Sequence, residues 1–315
     1  MTRPAVATAH SSIPPGPARR RTGGAAVWAA LAIVYVVWGS TYLGIRVVVE
    51  TMPPFLSAGF RFTVAGLALG ALLAWRRGPA VLKVTRAQLA STAVVGALLL
   101  LGGNGLVVLA ETSVPSGLAA LLIAVVPAWV VLLRTAFGER PGAGAYLGVL
   151  LGLGGLAVLT LPGLSGEVRI GGVLTVIAAT VMWSAGSFTS SRIPMPSNAF
   201  TASAYEMVFG GLGCLLVGLV RGEHLGLDVT AFSARSWTAL GYLVLFGSLL
   251  AFTAYAWLLQ TAPLSLVATY AYVNPVVAVL LGALVLNEAL TWPILLGGAV
   301  VVAGVCLIVS TERRA

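Results

Sequence analysis

Few residues in this chain could do chemistry, and several sit where a charge is costly to hold. Arg61 and Glu206 lie inside apolar stretches, and Glu111 lies at the edge of another. An ionisable group in such a run marks a path for ions or solutes more often than a packing site. A carboxyl there can take up and release a proton, whereas the long stem of Arg61 lets its head snorkel outward. Glu139 and Glu288, near the starts of apolar runs, suit the positive end of a helix. Catalytic groups are scarce. His10 and His224 lie in polar segments, while Cys214 and Cys306 lie in apolar ones, so no His–carboxylate or His–Cys metal set forms. Lys83, in VLKVTR, makes no phosphate-binding loop, and Gly152 to Ala157 match a dinucleotide fingerprint without the strand before it. No cofactor and no metal are expected.

The remaining candidates are polar or aromatic groups within apolar runs. Tyr270 and Asn274 stand four apart, on one face of a helix, while Tyr272 lies off that face. Such residues suit a solute with an apolar body and a polar end. Trp38, Tyr42 and Trp183 are further cavity candidates, although aromatic residues near the end of a span also serve as interfacial anchors. Asn104, flanked by Gly102, Gly103 and Gly105, suits either a hydrogen bond between helices or contact with a solute. Pro127 and Pro275 each follow another proline by 12 residues, about 18 Å along a helix. Each frees the carbonyl four residues earlier, at Ile123 and Ala271, and lipid requires that carbonyl to face protein or water. Both prolines therefore predict kinks turned toward an internal cavity.

Ten apolar segments must position these residues. With 59% hydrophobic and 9% charged residues among 315, and a mean hydropathy of +1.01, the chain is read as all-α and integral to a membrane. Crossing a bilayer core takes about 20 apolar residues. Segments near 27–48, 54–75, 89–110, 113–137, 143–161, 170–190, 199–220, 237–259, 262–286 and 292–310 meet that length. Residues 1–26, rich in Pro, Ala and Arg, read as a disordered cytoplasmic tail. With the N-terminus in the cytoplasm, Arg3, Arg19–Arg21, Arg76, Arg77, Lys83, Arg86, Arg134, Arg140, Arg192, Arg313 and Arg314 fall inside, and only Arg46, Arg169, Arg221 and Arg235 fall outside. The positive-inside rule then places both termini in the cytoplasm. The net charge of +9 is scattered between apolar runs, which argues against nucleic acid as a partner.

The chain also repeats itself. ETSVPSGLAALLIAVVPAW and LQTAPLSLVATYAYVNPVV align at an offset of 148, and Trp38 and Arg61 have counterparts in Trp183 and Glu206. Five spans per half is an odd number, so the second half (170–310) enters the membrane upside down relative to the first (27–161). Inverted repeats of this kind place a binding site between the halves. Arg61 and Glu206 would then lie toward opposite faces, apart from one another. Glycines four apart, at 144/148/152 and 66/70, and small residues at 210/214/218 suit close helix packing.

Trp38-Gly39-Ser40, Pro53-Pro54, Arg61-Phe62, Asn104-Gly105, Val114-Pro115-Ser116-Gly117, Pro127, Glu139, Trp183, Ser191-Arg192, Tyr270 to Pro275 and Glu288 carry a resemblance. Over about 27–310 the chain resembles the drug/metabolite transporter superfamily with two EamA-type repeats, and its wording is similar to the YedA-type bacterial exporters. The resemblance implies ten helices around a central cavity in the bacterial cytoplasmic membrane. It also implies export of amino acids, related metabolites or toxic compounds. On that reading the partners are a small-molecule substrate and the lipid bilayer, with Glu206 or Glu111 coupling export to a proton. An integral-membrane enzyme acting on lipid or peptide, and a membrane scaffold, are the alternative classes.

Overall fold

The computed structural model describes residues 24–114, 116–160, 170–277 and 292–312. Expectations for the first 23 residues, Pro115 and Glu288 lie outside that range. All regular structure among the described residues is helical, as lipid demands of a chain whose backbone groups must pair within their own segment. The helices are α1 (Gly24–Val48), α2 (Pro54–Arg77), α3 (Arg86–Ala110), α4 (Ser116–Ile123), α5 (Val126–Ala136), α6 (Ala143–Thr160), α7 (Ile170–Ser190), α8 (Ala199–Val220), α9 (Ala234–Thr261), α10 (Leu264–Val277) and α11 (Trp292–Glu312). Six of them (α1, α2, α3, α7, α8 and α9) are long and apolar enough to cross a membrane.

Local chemistry sets the helix ends. Pro53-Pro54 stops α1 from continuing and puts a proline in the first turn of α2, where its missing N–H costs nothing. Glu223, beyond α8, accepts from the backbone N–H groups of Phe55 (2.9 Å) and Leu56 (3.0 Å), so the distant half caps α2. Thr85 and Gln88 form a reciprocal capping box at α3, and Asn198 and Ser233 cap α8 and α9.

Two stretches depart from regular α-helix. Residues Ala97–Gly105 of α3 and Leu243–Phe252 of α9 are wound as π-helix. They occupy matching places in the two halves, and such widening is frequent at functional sites.

Small residues bring the halves together. A β-carbon on Gly59 would lie 2.7 Å from Leu215 N, on Gly66 2.8 Å from Val208 N, on Gly211 2.5 Å from Thr63 N, and on Gly218 2.8 Å from Leu56 Cδ2. Residue numbers rise along α2 as they fall along α8, so the two run antiparallel. The same holds for α6 and α11, where Gly144 meets Thr311 and Gly152 meets Gly304. Gly70 is an exception among the expected stripes, with nothing within 4 Å of its β-carbon position.

Gly211→Ala should therefore destabilise the protein by about 1–3 kcal/mol through overpacking, while Gly70→Ala should be neutral or slightly stabilising. Thermal unfolding of the two purified variants in lipid nanodiscs tests the difference.

Candidate functional site

The site is built around four aromatic rings from four helices. Trp38 of α1 has its ring centroid 5.3 Å from Trp183 of α7, 4.9 Å from Tyr255 of α9 and 5.1 Å from Tyr270 of α10. Two of these contacts are edge-to-face, the arrangement that ring quadrupoles prefer. Hydrogen bonds fix the box. Trp38 Nε1 donates to the Gly247 carbonyl (3.1 Å), Trp183 Nε1 donates to Tyr255 Oη (3.0 Å), and Ser187 Oγ lies 2.6 Å from the same hydroxyl.

The two π-helical segments supply the room. A β-carbon on Gly103 would sit 2.6 Å from Trp183 Cε3, and one on Gly247 would sit 2.8 Å from Arg61 Nη2. Trp183 thus rests on Gly103 of the other half, while Trp38 is held by its hydrogen bond to the Gly247 carbonyl. Both tryptophans are buried rather than interfacial.

Beside the box lies a small cavity of about 50 Å³. Trp38, Thr41, Tyr42, Arg61, Asn104, Ile123, Trp183 and Tyr270 are among the residues that line it. The expectation that Arg61 snorkels outward fails. The residue is 3% exposed, its Nε donates to Ser248 Oγ (2.9 Å), and its guanidinium lies 4.6 Å from the Phe62 ring centroid. Gly247 leaves the space and Ser248 the acceptor that draw the side chain inward. Asn104 also faces the cavity. Its Oδ1 is buried without a partner, so an interhelical hydrogen bond does not account for that atom.

Tyr270 and Asn274 separate. Tyr270 lines the cavity and Asn274 does not; with the Asn274 amide assigned so that its nitrogen faces acceptors, it donates to the carbonyls of Tyr35 (3.2 Å) and Tyr270 (3.0 Å). Tyr272 packs in a separate apolar cluster with Ala124, Val131, Ala145, Val149 and Ile308. The break before Pro127 falls at Ala124-Val125, and Ile123 lines the cavity. In α10 the break comes at Thr269, not within the turn that contains Pro275. Thr269 Oγ1 donates to the Leu266 carbonyl (2.6 Å) and accepts from Tyr35 Oη (2.6 Å), which offers the backbone an alternative to the helix ladder.

The two buried carboxyls stand outside the cavity lining. Both oxygens of Glu111 and Oε2 of Glu206 are buried without a hydrogen-bond partner. Glu206 packs against Gly96 of α3, and the Glu111 carbonyl accepts from Arg46 Nη1. No ion pair joins Arg61 to Glu206 among the described residues. At the opposite end of the helices from the cavity, Glu139 pairs with Arg134 (2.6 Å) and with Arg192, and Arg134 also reaches Ser265. Glu139 therefore ties the halves together instead of meeting a helix N-terminus, because two cations outcompete a partial dipole charge.

Sequence reasoning missed Tyr255, Ser248 and Thr41. Tyr255 sits in FTAYAWLL, where no spacing sets it apart from a packing aromatic; Gly247-Ser248, a small pair within an apolar run, was the available signal.

The chain matches the model of the EamA-like transporter family over residues 25–161 and again over 170–310. It is 40% identical over 259 residues to the uncharacterized inner membrane transporter YedA of Escherichia coli K12, covering 81% of each chain. It is 26% identical over 289 residues to a probable amino-acid metabolite efflux pump of Salmonella typhimurium LT2, covering 86% of this chain and 91% of that one. A solved crystal structure with 23% sequence identity superposes with a TM-score of 0.72, covering 92% of this chain and 98% of the other. A membrane fold of this kind, with relatives named as transporters, places the chain among transporters and not enzymes. The chain belongs to the EamA-like transporter family.

Proposed function

We propose that this transporter exports a small amphipathic solute, which crosses through the aromatic-lined cavity by alternating access. The observation that carries this reading is the crossed contact of Trp38 with Gly247 and Gly103 with Trp183, which puts one cavity at the seam of two halves. On this reading residues 27–161 and 170–310 are two inverted repeats of five spans each, ten in all, with both termini in the cytoplasm. The antiparallel packing of α2 on α8 and α6 on α11 supports it, because inversion makes equivalent helices run opposite ways. Export, as opposed to import, rests on the family resemblance and on the relative named as an efflux pump.

The Glu139 cluster is then the cytoplasmic latch. It bridges the segment after α5 to the segment after α7, while the cavity lies toward the other end. Alternating access requires the two to exchange roles. Trp38, Tyr42, Asn104, Trp183 and Tyr270 contact the solute in this scheme, Asn274 holds the broken part of α10, and Pro127 and Pro275 keep spans 4 and 9 flexible about their breaks. Glu206 or Glu111 carries the coupling proton, since each is a buried carboxyl with oxygen atoms left unpartnered.

Three outcomes test the scheme. Cells expressing the wild type should accumulate less of at least one member of a labelled panel of amino acids, nucleosides, sugars and dyes than cells expressing Trp183→Ala/Tyr270→Ala at matched membrane levels. Equal accumulation across the panel would count against export through this cavity. Pro275→Leu should lower transport several-fold with normal membrane abundance, whereas undiminished transport would remove the proline from the mechanism. Glu206→Gln should abolish stimulation by a pH gradient; a variant that keeps it eliminates Glu206 and leaves Glu111→Gln as the next assay.

A further inference from the structure

We infer that the solute this cavity takes is an anion, a small carboxylate with an apolar body, and that Arg61 is the residue that selects it. The inference rests on the transport reading for its site and deepens it by fixing the charge of the cargo.

The argument begins with the unmet valence of Arg61. A guanidinium has five N–H donors in a planar fork and keeps its charge at neutral pH. Here the fork is turned into the protein, with Nε satisfied by Ser248 Oγ and Nη1 buried with no partner. No carboxylate stands within ion-pair distance of it among the described residues. Beside Ser248, the groups around it include Gly247, Thr41 and the Phe62 ring, none of them an acid. A buried cation without a counter-ion is strongly disfavoured, and a protein keeps one when another molecule supplies the missing charge. Arg61 lines the cavity, so that molecule can reach it from there.

A second, independent group points to the same ligand. Asn104 Oδ1, in the same cavity, is a buried acceptor with no donor. A ligand that offers an acceptor pair to Arg61 and an O–H to Asn104 satisfies both, and an α-hydroxy carboxylate carries those groups on adjacent carbons while keeping a net negative charge. The bidentate geometry of guanidinium with carboxylate favours the acid over an isosteric amide. The rings of Trp38, Trp183 and Tyr270 then receive the apolar body. A monovalent organic cation could stack on those same rings, but beside Arg61 it would meet like charge in a low-dielectric space. Cationic amphiphiles are thereby excluded.

The test uses purified full-length protein in lipid nanodiscs and a series that shares one benzyl body: 3-phenyllactate, 3-phenylpropionate, phenylalanine amide and phenethylamine. Binding is read as ligand-induced thermal stabilisation over a concentration range. The two carboxylates should stabilise the wild type with apparent affinities at least tenfold tighter than the two cations. Arg61→Gln should lose that preference, and Arg61→Lys should retain part of it. Equal or stronger stabilisation by the cations, no stabilisation by either carboxylate, or an unchanged preference in Arg61→Gln would overturn the inference. The wild-type series alone decides the matter if Arg61→Gln fails to fold. Uptake of the same compounds into proteoliposomes separates the two readings. Carboxylate-selective binding without uptake would sink the carrier assignment and leave the anion site standing, while uptake of the cations in preference to the acids would do the reverse.

Discussion

Lipid offers no hydrogen bonds, and this single constraint orders the molecule. Every polar atom inside the helices must find a partner within the chain, face a cavity, or remain unsatisfied at a cost. Most find partners. Asn274 turns to two carbonyls, Tyr35 reaches Thr269, Trp129 Nε1 donates to Thr180 Oγ1, and Ser184 bonds back to the Thr180 carbonyl one turn earlier. The few that do not, Arg61 Nη1, Asn104 Oδ1 and the carboxyl oxygens of Glu111 and Glu206 among them, are sorted by position. Arg61 and Asn104 face the cavity, while the two carboxyls lie behind it.

The same constraint explains why glycine recurs where the halves meet. Helices in lipid gain little from hiding apolar surface, so they associate through close packing, and close packing needs small residues. The α2–α8 seam meets this need with glycines seven apart, at 59/66 and 211/218, and the α6–α11 seam with glycines four apart, at 144/148/152. At the cavity, Gly103 and Gly247 play a different part. There the missing side chain leaves room for Trp183 in one case and for the Arg61 guanidinium in the other. The π-helical winding of these two segments shifts the helix face, which brings Asn104 and Ser248 to the site.

Much of this was legible in the sequence, and the residues show where legibility ended. Span boundaries followed from apolar length, and α7 and α8 begin and end where the apolar runs do. Trp38, Tyr42, Asn104, Trp183 and Tyr270 reached the cavity because buried polar and aromatic groups are rare enough in such a chain to be noticed singly. Asn274 could not be told from Tyr270, since helical spacing gives a shared face but a break at Thr269 rotates one part of the helix relative to the other. Arg61 was misread for a related reason. Snorkelling depends on stem length alone, whereas its actual direction depends on a gap at Gly247 and an acceptor at Ser248, almost 190 residues away in the chain. Tyr255 was hidden because nothing in its own segment distinguishes a ring in a box from a ring in a core.

The central claim is that solute passes through the cavity between the halves. Cysteine labelling at Asn104 tests it most directly, with Asn104→Cys placed in a chain whose Cys214 and Cys306 have been changed to serine. A membrane-impermeant thiol reagent is applied separately to right-side-out and inside-out vesicles, with and without a transported solute. Labelling from both sides, slowed by the solute, is the expected result, because the cavity must open to each face in turn. Labelling from neither side, or from one side only and unaffected by solute, would show that the cavity is a closed packing defect and that the path lies elsewhere.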